Sequence, residues 1–165
     1  MMSEPADGAD VLDITQYQGV RLGASGPYAS LYVDQGGAER AAAVRDSIAA
    51  TMPENGVYLR ADVPERLNYS ADPRAGDIVI VAAEGRTIVA PDRVPDNDGF
   101  NHGWDNAFLG MGSIFLAQGP GIAGGQTIDV FESIHIYPLL AHVLGLTPNP
   151  DVDGRLKVLQ PILGN

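Results

Sequence analysis

The chain has 165 residues, with ten basic against 21 acidic side chains, a net charge of −11 and an isoelectric point near 4.4. A surface this acidic repels phosphate backbones, which argues against nucleic acid as a partner. The 45% apolar content suffices for a core, and the absence of cysteine excludes disulfides, thiolate zinc sites and a cysteine nucleophile.

No apolar run approaches the ~20 residues that span a bilayer, and the opening residues do not read as a secretory leader. Residues 1–10 are polar and aperiodic and are expected to form a loosely held tail. Val11-Leu12-Asp13-Ile14 reads as a short strand ahead of a glycine-rich stretch around Gly23 and Gly26. Ala29 to Val33 alternates small or polar with large apolar residues, the pattern of a half-buried strand. Gly36-Gly37 then opens a helix running to about Met52 and ended by Pro53. Its stripe of Ala41, Val44, Ile48 and Met52 repeats every three or four residues, so one face is buried.

Val57 to Arg60 reads as the next strand, and Val63 to Leu67 as a short helical turn with proline near its start. Asp77 to Ala82 and Arg86 to Ala90, joined by Glu84-Gly85, read as a hairpin. Pro91 to Gly103 is a loop. Ser113 to Ala117 is apolar throughout and bounded by glycines, as a fully buried strand would be. A helix is expected from about Phe131 to Leu144, closed by Gly145, and 146–165 is expected to run along a surface.

These elements predict an α/β chain in three parts. A tail and first strand occupy 1–23, a small open-faced α+β sandwich 24–90, and a strand–helix segment with the His102 loop 91–165.

Several motifs then become specific. The run His102-Gly103-Trp104-Asp105-Asn106, then Ile114 to Ala117 and the turn Gly119-Pro120, resembles nucleotide pyrophosphatase/phosphodiesterases of the alkaline phosphatase superfamily. The resemblance continues through Phe131 to Leu140 and Leu144 to Pro148, and upstream in Val63-Pro64-Glu65-Arg66 with Tyr69. It implies an alkaline phosphatase-like core, of which 91–165 would be the C-terminal part. It also implies an exported or periplasmic parent enzyme that hydrolyses phosphodiester or pyrophosphate bonds of nucleotides with two zinc ions and a threonine nucleophile. His102 matches a late zinc-ligand histidine of that family. Met2-Ser3-Glu4 resembles the tail of the motif that carries the preceding ligands, so the nucleophile and most ligands are expected to lie outside this chain.

The residues themselves agree with that expectation. A catalytic zinc takes about three protein ligands and an open position. The three histidines, His102, His135 and His142, show no i, i+4 pair, and Asp96, Asp98 and Asp105 share one loop. His102 is therefore the single candidate metal ligand, with no catalytic residue assigned and no zinc expected on this chain alone. Asp105 and Asn106 are candidates for organising the loop or hydrogen-bonding the histidine. Trp104 is expected to pack, Glu65 and Arg66 to pair locally, and His135 and His142 to be ordinary helix histidines. Gly119-Pro120-Gly121 is too short to cradle phosphate, and Ser25 lacks a legible base. Two rival readings stand beside the first: a free-standing, non-catalytic binding or structural module, and a piece of another superfamily hydrolase acting on phosphonate or sulfate esters. The 104–146 segment is expected either to rearrange or to mediate self-association, because its strand and helix are apolar on faces shaped for partners outside the chain.

Overall fold

The computed structural model describes residues 9–70, 72–92 and 102–164. The chain divides into two compact units, Met1–Ser113 and Ile114–Asn165.

In the first unit the strands are β1 (Ala9–Val11), β2 (Val20–Ala24), β3 (Tyr28–Val33), β4 (Gly56–Leu59), β5 (Ile78–Val81) and β6 (Thr87–Val89), with helix α1 (Gly37–Thr51). A four-stranded antiparallel sheet has the order β2-β3-β5-β4, and β1 pairs with β6 in parallel as a second, two-stranded sheet. Within the larger sheet Leu31 and Leu59 both face Ile78, while Ala29 and Val57 both face Ile80. This row packs with Val44, Ile48 and Met52 of the α1 stripe to make the main core. The stripe is buried as its spacing requires: Ala41, Val44 and Ile48 are the buried residues of α1. The opposite face, with Tyr28, Tyr58, Val79 and Val81, is covered by the excursion between β4 and β5 through Val63, Leu67 and Ala75.

Three local expectations differ from the structure. The expected hairpin does not form, because β5 and β6 belong to different sheets. Ile78, Val79 and Ile80 are all at most 1% exposed. A strand buried on both faces takes the centre of a sheet, and β5 lies between β3 and β4 rather than beside its sequence neighbour. The stretch around Gly23 is not merely a glycine-rich connection but strand β2, with a register shift between Leu22 and Ala24. Gly23 sits at that shift, where an added Cβ would stand 2.5 Å from the Tyr32 ring. Finally, Ala9 and Asp10, read as tail, are the first rungs of β1.

The second unit holds α2 (Ile136–Val143) and α3 (Leu156–Leu159). Helix α2 is entered through a 3-10 turn, Ser133–His135. It ends as the sequence predicts: Gly145 has φ +68°, its N–H donates to His142, and the Leu146 N–H donates to the Ala141 carbonyl. That is the paired bonding of a glycine-closed helix terminus. Residues 113–117 form no strand, and Ile114 and Leu116 are 79% and 89% exposed. An all-apolar strand needs neighbours on both edges and cover on both faces, and among the described residues 113–117 gains no strand partner and only Phe115 is covered. The 146–165 stretch does more than run along a surface. Leu159 and Ile162 are buried with Leu139, against partly buried Phe115, Phe131 and Leu156, so the C-terminal residues build this unit's core.

Candidate functional site: the His102 loop

His102 is exposed and stands at the start of a short loop in the first unit. Gly103 follows with φ +103°, a backbone turn that side-chain-bearing residues rarely adopt. That turn drives Trp104 inward. Its indole is 5% exposed within the main core, and Nε1 donates to the Arg86 carbonyl at 2.6 Å. The acceptor is itself held. The Arg86 guanidinium forks onto the Asp10 carboxylate, and Asn55 Nδ2 donates to Asp10 Oδ2 at 2.8 Å. Asn55 Oδ1 in turn accepts from the Ala83 N–H at 2.8 Å.

A second anchor lies one residue further on. Arg66 Nη1 and Nη2 donate to Asp105 Oδ1 and Oδ2, each at 2.5 Å, and Nη1 also donates to Asn106 Oδ1 at 3.1 Å. The Ala107 N–H donates to Asp105 Oδ1 at 2.8 Å, which closes the loop on itself. The expected local pairing of Glu65 with Arg66 is therefore replaced by a pairing across 39 residues of sequence. A two-pronged guanidinium matches a carboxylate edge better than a glutamate beside it in sequence can. Asp105 and Asn106 organise the loop, with Arg66 as their partner.

Hydrogen bonding from Arg66 holds the Asp105 carboxyl below its ordinary 3.8, and hydrogen bonding from Arg86 does the same for Asp10. A carboxylate whose value is lowered by folding stabilises the fold above its unfolded value and loses that contribution as pH falls through the folded one. Thermal unfolding midpoints should thus be flat above about pH 5 and fall below about pH 4. Asp105→Asn should fall less steeply over that acidic range, and an identical acid profile in a thermal-melt series would contradict this role.

The other two histidines lie in the second unit. His135 is 8% exposed and its Nδ1 accepts the Arg155 N–H at 3.0 Å, while His142 is exposed in the last turn of α2. Asp96 and Asp98 lie outside the described residues. Among the described residues no group of three or more His, Asp or Glu side chains could hold a metal ion. Both Asp105 oxygens are engaged by Arg66, so among the described residues the donors beside His102 do not by themselves fit a catalytic zinc.

The family model of type I phosphodiesterases/nucleotide pyrophosphatases matches residues 6–105, a span that ends within the His102 loop. The chain belongs to this family. Among its relatives is ectonucleotide pyrophosphatase/phosphodiesterase family member 7, 37% identical in Rattus norvegicus over 67% of this chain and 33% identical in Homo sapiens over 84%. The matched region is 25% and 29% of those relatives, so the chain spans well under a third of their length. Murine ectonucleotide pyrophosphatase/phosphodiesterase 5 shares the fold over 99% of this chain and 43% of its own, with a TM-score of 0.79 and 30% identity. An inactive threonine-to-alanine variant of that murine protein is known in complex with AMP. The α/β architecture described above is thus a segment of this family's alkaline phosphatase-like fold. Among the described residues no helix is long and apolar enough to cross a membrane.

His102, Asp105, Asn106 and the packing of Trp104 are legible in the sequence, whereas the parts played by Arg66 and Arg86 are not. Arg66 lies beside Glu65 in its motif, while its partner Asp105 belongs to another motif 39 residues away. Arg86 offers only a backbone carbonyl to Trp104, which leaves no trace in the sequence.

Proposed function

We infer that this chain contributes one zinc ligand, His102, to a nucleotide pyrophosphatase/phosphodiesterase site, and that it does not hydrolyse nucleotides by itself. The observation that carries the reading is the double anchoring of the loop. Trp104 on the Arg86 carbonyl and Asp105 on the Arg66 fork fix the backbone that follows His102, itself an exposed residue. Holding a ligand in place before the metal arrives is how a protein sharpens a metal centre. The substrate class, nucleotide phosphodiesters or pyrophosphates, is supported by family membership and by the AMP bound to the murine relative. A human relative, 35% identical over 60% of this chain, is named as a bis(5′-adenosyl)-triphosphatase.

Inactivity of the chain alone follows from its donor set, because one imidazole falls short of the ~3 ligands a catalytic zinc takes. With zinc supplied, the nitrophenyl ester of thymidine monophosphate should be released no faster than in buffer. Turnover above that background, lost in His102→Ala, would overturn this part of the proposal.

The same reading includes self-association through the second unit's part of 104–146. Ile114, Leu116, Val130, Leu140, Leu144 and Leu146 are all more than half exposed. A second copy is the proposed occupant, because exposed apolar side chains of this kind favour association. Sedimentation should show concentration-dependent dimers, weakened by Leu144→Lys. A monomer at every concentration would contradict it.

A further inference from the structure

We propose that Arg66 is a positioning residue for His102: its guanidinium, bonded to Asp105 and Asn106 at once, sets the backbone of the loop that presents the histidine. The inference rests on the reading of His102 as a metal ligand, but its geometry is independent of any metal. Residue 66 belongs to the 3-10 turn Glu65–Leu67 in the excursion between β4 and β5, while 105 and 106 lie beyond β6. The pairing therefore joins two motifs that have no sequence proximity and makes one respond to the other.

Three features distinguish this contact from an ordinary surface ion pair, whose contribution is usually small. It is two-pronged, so it fixes orientation as well as distance. The same guanidinium also reaches the Asn106 side chain, so two consecutive loop residues are held. The carboxylate it holds also receives the Ala107 N–H, so moving Asp105 moves the turn that follows. Trp104 fixes the loop on the inner side, and Arg66 fixes it on the outer side. His102 precedes both anchors by two and three residues. The clamp has a second effect: with both oxygens of Asp105 engaged by Arg66, that carboxylate is withheld from any ligand at the loop.

The test uses the full chain labelled with nitrogen-15, in the wild type, Arg66→Gln, Arg66→Lys, Asp105→Asn and the Arg66→Gln/Asp105→Asn pair. The Arg66 side chain is 47% exposed, so these variants should keep the fold. Amide hydrogen exchange at Gly103 and Asp105 to Phe108 should accelerate about tenfold or more in Arg66→Gln and Asp105→Asn, with Leu31 and Ile78 to Val81 unchanged. The double variant should match the singles rather than add to them. Arg66→Lys keeps the charge but not the fork and should restore only part of the protection. Unchanged loop exchange in Arg66→Gln would overturn the proposal. So would equal acceleration in the sheet, which would mark a merely structural role, additive effects in the pair, or full protection in Arg66→Lys.

Zinc chloride titrated into the wild-type chain, followed at the His102 ring protons, tests the ligand reading separately. Zinc-dependent shifts at His102 that weaken in Arg66→Gln support both. A weak or absent zinc response together with clamp-dependent exchange agrees with a chain that carries one ligand and leaves Arg66 as the residue that sets its loop, whereas tight zinc binding unchanged in Arg66→Gln would overturn the link between clamp and ligand.

Discussion

Trp104→Ala is expected to destabilise the Met1–Ser113 unit by about 3–5 kcal/mol, the range for removing a large buried aromatic side chain. The indole is 5% exposed and shares a core with Leu31, Ile48, Ile78 and Ile80, so its loss leaves a cavity beneath the sheet rather than a surface gap. The substitution also strips the Arg86 carbonyl of its indole donor, which adds the cost of a partly buried acceptor left unmet. Chemical denaturation of the full chain, followed by far-ultraviolet circular dichroism, measures the effect directly. Trp104→Phe refills most of the volume without the N–H and should recover the larger part of the loss. A change below about 1 kcal/mol in Trp104→Ala would mean that the loop is not anchored through this side chain.

Leu159→Ala is expected to cost about 2–5 kcal/mol and to melt the second unit selectively. Leu159 is 0% exposed and is one of only three fully buried residues in that unit's apolar cluster, beside Leu139 and Ile162. A cluster so small has little to spare, since a loss of this size is a large fraction of the stability of any domain. Amide exchange should accelerate across Ile136–Val143 while β3 and β5 keep their protection. Uniform acceleration through both units would show that they unfold together, and unchanged exchange in α2 would remove Leu159 from its role as keystone.

Family membership gives the His102 loop its meaning, and the hydrogen bonds give it a mechanism of support. The loop is held by two side chains of unlike kind, one buried aromatic and one exposed cation. The first responds to core substitutions and the second to pH, because it depends on the ionised Asp105.

What the sequence determined by itself was local. The α1 stripe, strands β3 and β4, and the closure of α2 at Gly145 were readable because each depends on residues within one or two turns or rungs of each other. The run from His102 to Asn106 was readable as a motif for the same reason. Partner choice was decided by tertiary structure. β5 joins β3 and β4 rather than β6 because Ile78, Val79 and Ile80 require cover on both faces, a demand that neighbouring residues cannot meet. The run 113–117 is apolar from Ile114 onward but joins no strand among the described residues; Phe115 packs into the second unit's core while Ile114 and Leu116 stay exposed. Arg66 passes over Glu65 and bonds Asp105, because a fork needs a carboxylate edge presented in its own plane, and folding alone brings one there.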